Sequence, residues 1–309
     1  MKMKLFVPAL CTGLIALTTL AHAETYAVIV GISDYPEPLD ATGKRLVDEK
    51  GLPISDDLPG ALNDALTYKD VFVNKYGVKP ENIKMLTDKQ ADEKGFVEAF
   101  TWIAKTVKPG DQFIFTYSGH GAQIENKKEA DGLDEVIVLA DEHLISDDLF
   151  GDIAQMFSKA GVNSTFIFDS CFSGGMARGV ASFKGQDAIS RNRVLDAKRL
   201  KKATYVPEAK LATFKTSKKA ANAPGSYAFV FASQEDQTST DLDFKDPKMK
   251  DHGLFTLVLT AFIEEYSSEP VGDVMELTKN LIKEKGFEQI PKIEYSDPER
   301  ARKPLILKS

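Results

Sequence analysis

The sequence predicts an α/β fold: a mostly parallel sheet with helices on both faces. Three observations carry that prediction. The strand-like runs, such as Tyr26–Ile32, Gln112–Tyr117 and Thr165–Phe168, are almost continuously apolar, as strands buried on both faces are. Between them lie segments whose apolar residues recur at helical spacing. The two kinds alternate, strand then helix, in the order that parallel strands with crossover helices require.

Taken in order, Tyr26–Ile32 is the first strand. Leu58–Lys75 reads as a helix from Leu62, Leu66 and Val73, with Gly77 at its end. Asn82–Leu86 is a short strand. Phe96–Val107 is helical by Phe96, Phe100, Ile103 and Val107, and Pro109-Gly110 stops it. Gln112–Tyr117 and Glu135–Ala140 are strands. Ser146 reads as the N-cap of a helix running to Ala160, with Asp147 and Asp148 in its first turn. Thr165–Phe168 and Ser226–Ser233 are further strands, Leu254–Glu265 and Val271–Lys285 helices, and Ile290–Tyr295 a last strand.

One stretch departs from the pattern. From Met176 to Gly225 no strong periodicity is visible, and the segment is basic, with Arg178, Arg191, Arg193, Lys198, Arg199, Lys201 and Lys202 among its cations. So long an unpatterned segment is unusual within a compact domain. It reads as a mobile linker or functional segment, or more plainly as a solvated insertion with some helix.

The N-terminus reads as a secretory signal over 1–23. Lys2 and Lys4 precede an apolar run from Leu5 to Leu20, and Ala21-His22-Ala23 gives a small-x-small cleavage site. The run is short for a membrane anchor, which needs about 20 residues. Leu10 before Cys11 is not the small residue of a lipoprotein site. The expectation is an exported protein, periplasmic or extracellular, with no membrane association after cleavage. An apolar fraction of 43% supports a real core. A net charge of −7 argues against nucleic acid as the main partner. A monomer is the favoured state.

With the signal removed, Cys171 is the only cysteine, so no disulfide can form within the chain. It ends an apolar strand and enters the turn Phe172-Ser173-Gly174-Gly175. A lone cysteine is either a buried structural thiol or a nucleophile. His120 has the same setting, at the end of Gln112–Tyr117 in Ser118-Gly119-His120-Gly121. Ligands of open α/β sheets bind beyond the carboxyl ends of the strands, and both residues lie at such ends. The other histidines of the mature chain, His143 and His252, lack that setting. Together, Cys171 and His120 point to nucleophilic catalysis. The imidazole assists thiolate formation and protonates a departing amine, while the N–H groups of Gly121 and Cys171 cradle an oxyanion.

These residues resemble the caspase-type cysteine peptidases, and among them the metacaspases. The histidine precedes the cysteine by about 50 positions, the caspase spacing. The nucleophile lies in Asp169-Ser170-Cys171, the metacaspase form, rather than Gln-Ala-Cys. The likeness extends to Gly31-Ile32-Ser33-Asp34-Tyr35, to Leu58-Pro59-Gly60-Ala61-Leu62-Asn63-Asp64-Ala65, to Asp131-Gly132-Leu133-Asp134-Glu135 and to Ile145-Ser146-Asp147-Asp148. It continues in Phe231-Ala232-Ser233-Gln234-Glu235-Asp236-Gln237-Thr238-Ser239 and Gly253-Leu254-Phe255-Thr256.

The resemblance implies a caspase-like fold with a sheet of about six strands. It implies a large-subunit-like part over 24–175, the insertion over 176–225 and a small-subunit-like part over 226–309, in a bacterial, exported member. It implies an endopeptidase acting through Cys171 and His120, and it places Asp64, Ser118 and Asp169 in the pocket for P1, the residue before the scissile bond. Carboxylates sharing a partly buried pocket demand a cation, so protein or peptide substrates with Arg or Lys at P1 are expected.

The same preference makes Lys198-Arg199 and Lys201-Lys202 candidate self-cleavage sites. The chemistry requires no cofactor. Calcium is the one the resemblance implies, at Asp131, Asp147 and Asp148, hard oxygen donors that suit it. Arg178 stands where a further aspartate is expected and opposes a cation, and Asp147 and Asp148 are equally natural at a helix start. The alternatives are a non-catalytic caspase-like module and a gingipain-like or legumain-like peptidase of the same clan.

Overall fold

A computed structural model describes residues 23–40, 42–127, 132–171, 178–183, 186–195, 200, 203–206, 223–234 and 236–307. The expected signal peptide falls almost wholly outside these residues. Among the described residues no helix is long and apolar enough to cross a membrane.

The first part of the chain runs β1 (Thr25–Gly31), α1 (Pro59–Asn74), β2 (Ile83–Thr87), α2 (Glu93–Thr106), β3 (Gln112–Ser118), β4 (Gly121–Glu125), β5 (Leu133–Val138), β6 (Leu144–Ser146), α3 (Asp147–Lys159) and β7 (Asn163–Asp169). There follow β8 (Arg178–Phe183), β9 (Gln186–Asn192), β10 (Tyr227–Phe231), β11 (Thr240–Phe244), β12 (His252–Gly253), α4 (Leu254–Glu265), α5 (Val271–Glu284), β13 (Lys292–Tyr295) and α6 (Pro298–Ala301).

The central sheet has six strands in the order β13-β10-β7-β3-β1-β2. All neighbours pair in parallel except β13, which is antiparallel to β10. This is the mostly parallel sheet of a caspase-like α/β fold. Successive strand residues feed opposite faces. Val28, Val30, Phe113, Phe115, Phe166 and Phe168 pack with Phe96, Phe100 and Phe150 of α2 and α3. Ala27, Ile29, Ile114 and Ile167 pack with Ala65, Tyr68 and Phe72 of α1 and with α4 and α5. Such two-sided burial explains why the strands lack alternation.

Four details depart from the sequence reading. Leu66 of α1 is 45% exposed; the buried stripe is Ala61, Ala65, Tyr68 and Phe72, because small residues let α1 approach the sheet closely. The strand expected at Glu135–Ala140 is β5, which joins β4 and β6 in a separate antiparallel sheet of three strands. Ser146 occupies the N-cap of α3 but makes no side-chain cap bond. The stretch 176–225, read as a linker, contains β8 and β9, which form a four-stranded sheet with β11 and β12. Its basic residues hid that pairing, since Arg191 meets Asp243 at 2.5 Å and Arg193 is fully buried.

Candidate active site

The register of the sheet brings the site together. Gly31, Ser118 and Asp169 are aligned neighbours at the carboxyl ends of β1, β3 and β7. The chain leaves β3 through Gly119 to His120 and leaves β7 through Ser170 to Cys171, so the two candidate reactive residues emerge from adjacent strands.

Beside these strand ends is a buried acidic pocket. Asp64 comes from α1, Ser118 from β3, Asp169 from β7 and Asp241 from β11, each exposed by 1% or less. Within it lies the guanidinium of Arg193, itself 0% exposed. One terminal nitrogen, Nη2, donates to Asp64 Oδ2 and to Asp241 Oδ1, each at 2.6 Å. The other, Nη1, donates to Ser118 Oγ at 2.5 Å and to the Asp169 carbonyl at 3.1 Å, and lies 3.4 Å from Asp169 Oδ2. Ser118 Oγ in turn donates a hydrogen bond to Asp64 Oδ2 at 2.6 Å. A planar cation with several donors suits such a forked arrangement of oxygens.

The carboxylates are themselves held. Asp169 accepts from Ser239 Oγ at 2.5 Å, Thr256 Oγ1 at 2.7 Å and Thr256 N at 3.0 Å. Asp64 meets His252 Nδ1 at 2.9 Å and accepts from Gly253 N at 3.0 Å. Burial pushes the carboxyls of Asp169 and Asp241 up, and Arg193 opposes that. Gly253 is a close approach: a Cβ there would run first into Asp169 Oδ2 and lie 2.8 Å from both Cζ and Nη1 of Arg193, so only glycine leaves the carboxylate and the guanidinium their space.

The backbone of Arg193 is held as firmly as its side chain. Its carbonyl oxygen accepts from Gly121 N at 3.0 Å and from Cys171 N at 3.1 Å. Two converging N–H groups on one carbonyl form the geometry of an oxyanion hole.

Cys171 is 0% exposed. Its Sγ accepts from Ser239 N at 2.5 Å and faces the Ser239 carbonyl at 3.2 Å. Burial pushes its thiol up to about 12. His120 is buried too, its ring 4.6 Å from that of Tyr35. Its Nε2 lies 2.7 Å from the Asp56 carbonyl; a carbonyl only accepts, so Nε2 carries the proton and Nδ1 is the basic nitrogen. Among the described residues Nδ1 has no hydrogen-bond partner. Burial and then the Arg193 charge push the imidazole down to about 3. The phenol of Tyr35 accepts from His120 N at 2.9 Å, and that of Tyr117 donates to the His120 carbonyl at 2.7 Å. The resting site therefore holds a neutral thiol and a neutral imidazole around an occupied pocket.

Of the expected metal-binding residues, Asp147 and Asp148 line a cleft with Glu135, Glu294, Phe168, Phe229 and Phe231, while Asp131 lies outside the described residues. Partial desolvation, with Glu135 and Asp148 near, pushes the Asp147 carboxyl up to about 6. Yet among the described residues no three His, Cys, Asp or Glu side chains converge to hold an ion. Of Arg178 the structure gives only its place at the start of β8.

Sequence reasoning missed Arg193, Asp241, His252 and Ser239. Ser239 ends a motif that was noticed, Phe231–Ser239, Asp241 lies two residues beyond it, and His252 directly precedes another, Gly253-Leu254-Phe255-Thr256. Adjacency to both motifs was the signal available.

The mostly parallel six-stranded sheet with helices is consistent with a caspase-like α/β fold. In its residues 27–178 the chain matches the family model of the metacaspase, peptidase C14 domain. It is similar to metacaspase-1 of Kluyveromyces lactis, at 34% identity over 148 residues, 43% of this chain and 34% of that protein. It is also similar to metacaspase-1 of Schizosaccharomyces pombe, at 32% over 147 residues, 43% and 35% respectively. Metacaspase-6 of Arabidopsis thaliana is 37% identical over 128 residues, 39% of this chain and 34% of that protein. The chain spans about a third of the length of these relatives. Its fold also resembles the crystal structure of protein GSU0716 from Geobacter sulfurreducens. The TM-score is 0.59 at 19% identity, covering 92% of this chain and 99% of that one.

Proposed function

We propose that the protein is a cysteine endopeptidase that hydrolyses peptide bonds after Arg or Lys, with Cys171 as nucleophile and His120 as general base and acid, and that it processes itself within its basic insertion. One observation carries this reading. A guanidinium fills a pocket of three carboxylates, while the carbonyl of the same residue sits on the N–H groups of Gly121 and Cys171. That is the posture a substrate arginine needs, with its charge recognised and its carbonyl polarised.

In the reaction, His120 Nδ1 takes the thiol proton and Sγ adds to the carbonyl carbon. The oxyanion rests on the two amides. Collapse expels the amine, which takes the proton back from His120. Water then cleaves the thioester. An aspartate at the same position would meet Asp64, Asp169 and Asp241 and be repelled. Export through the N-terminal signal belongs to the same reading. So does calcium as a regulator bound by Asp147, Asp148 and Asp131, in which role it takes no part in the steps above.

The test is hydrolysis of fluorogenic peptides ending in Arg, Lys or Asp by purified protein and Cys171→Ala, with calcium or with chelator. The expected result is Cys171-dependent cleavage after Arg and Lys only. Faster cleavage after Asp overturns the specificity. No cleavage of any peptide, together with an intact chain, favours a non-catalytic binding module. Rates indifferent to both calcium and chelator remove calcium from the reading.

A further inference from the structure

We propose that His252 is a positioning residue for P1 recognition: by fixing the Asp64 carboxylate in one orientation, it makes the pocket prefer the guanidinium of arginine to the ammonium of lysine. The inference rests on the peptidase reading above and deepens it, since that reading admits both side chains alike. Lys198-Arg199 and Lys201-Lys202, which lie outside the described residues, play no part in it.

The two oxygens of Asp64 divide their work. Oδ2 faces the pocket, where it accepts from Arg193 Nη2 and from Ser118 Oγ, each at 2.6 Å. Oδ1 faces β12, where it meets His252 Nδ1 at 2.9 Å and accepts from Gly253 N at 3.0 Å. A carboxylate only accepts, so Nδ1 is the protonated ring nitrogen and the donor. His252 thus holds Asp64 from the side away from the cation.

The imidazole is itself fixed. His252 is buried, and in β12 it pairs with Leu242 of β11. Helix α1 lies directly against it. A Cβ at Gly60 would come within 2.6 Å of the His252 carbonyl carbon, and Asn63 Nδ2 donates to the Asp251 carbonyl at 3.0 Å. Two packed elements therefore set the distance between imidazole and carboxylate.

The other carboxylates are held differently. Asp169 accepts from the hydroxyls of Ser239 and Thr256, and a hydroxyl turns to follow its acceptor. Asp241 Oδ2 has a long contact, 3.4 Å, from Gly60 N. An imidazole N–H points one way in the plane of its ring and allows less adjustment.

That rigidity matters differently to the two cations. A guanidinium is a planar fork of donors, and here Nη2 spans Asp64 Oδ2 and Asp241 Oδ1 at 2.6 Å each. Such a match needs Oδ2 in one place. An ammonium is a compact point charge with rotatable donors and tolerates a carboxylate that turns. Loosening Asp64 should therefore cost arginine more than lysine.

The experiment measures KM and kcat per active site for wild type, His252→Asn, His252→Gln and His252→Leu. The substrates are an arginyl and a lysyl reporter peptide of otherwise identical sequence. Asparagine carries its amide nitrogen on Cγ, where histidine carries Nδ1; glutamine carries it one bond further out. Wild type should prefer the arginyl peptide. His252→Asn should keep the arginyl KM within about twofold, whereas His252→Gln and His252→Leu should raise it roughly 10-fold, with a lysyl KM raised no more than roughly threefold and kcat little changed. The arginyl-to-lysyl ratio of kcat/KM is taken within each preparation, so any inactive fraction cancels.

An unchanged ratio in His252→Gln and His252→Leu overturns the inference. So does His252→Asn behaving like His252→Leu, which would mark a packing role, and so does a loss confined to kcat. A wild type that prefers lysine overturns it as well. In each of these cases the peptidase reading stands. Wild type that hydrolyses neither peptide overturns both. If His252→Leu fails to fold, the contrast between His252→Asn and His252→Gln decides.

Discussion

The carbonyl oxygen of Arg193 accepts a hydrogen bond from the backbone of Cys171 at 3.1 Å. The residue that carries the thiol thus also polarises the carbonyl which that thiol would attack. On the peptidase reading proposed above, recognition and reaction would meet at this point, and the neighbouring side chains can be tested against it.

Asp241 completes the pocket by accepting from Arg193 Nη2 at 2.6 Å. A hydrogen bond to a charged group contributes about 1.5–3 kcal/mol. Asp241→Asn is therefore expected to lower kcat/KM for arginyl peptides by roughly 10- to 100-fold. Unchanged kinetics in the processed enzyme would remove Asp241 from substrate recognition.

Gly253→Ala places a methyl group against Asp169 Oδ2 and 2.8 Å from the position of the Arg193 Cζ. Overpacking of this kind costs about 1–3 kcal/mol. A lysine ammonium is narrower than a guanidinium, so the ratio of arginyl to lysyl hydrolysis should fall. Equal losses for both substrates would point to a general distortion instead.

His120 gives an acid dependence with a defined sign. Its folded value is about 3, below the ordinary 6.5. Between these values the unfolded chain binds a proton that the folded chain refuses, so stability is lost as pH falls through this window. The loss is about 3 kcal/mol by pH 4. His120→Gln removes this contribution, so its thermal midpoint should drop less than that of wild type between pH 7 and pH 4. Parallel drops would show that the imidazole is not held neutral.

Tyr35→Phe deletes the oxygen that accepts from His120 N at 2.9 Å. A buried N–H left without a partner costs about 1–3 kcal/mol. The variant should melt at lower temperature and show reduced kcat with little change in KM, because the phenol positions His120 and does not touch substrate. A change confined to KM would contradict that role.

The parallel sheet was legible because apolar runs and helical spacings follow directly from two-sided burial, as in Gln112–Tyr117 and Phe96–Ile103. The placement of His120 and Cys171 just beyond two strands was legible from the apolar runs that precede them. Leu66 misled because α1 buries alanines against the sheet, and small residues give a weak apolar signal. Arg193 was hidden more deeply. A cation in a basic segment reads as solvated, and only the carboxylates of three distant elements turn it into a core residue. Those carboxylates are spread from Asp64 to Asp241, a separation that no local pattern reports.

The same spread governs when the pocket comes into existence. Its walls include Asp64, Asp169, Asp241 and Gly253, so a ribosome has synthesised most of the polypeptide before the last of them emerges. Contacts of such long sequence separation form late in folding. A nascent or half-folded molecule therefore holds Cys171 and His120 before the carboxylates around Arg193 have come together.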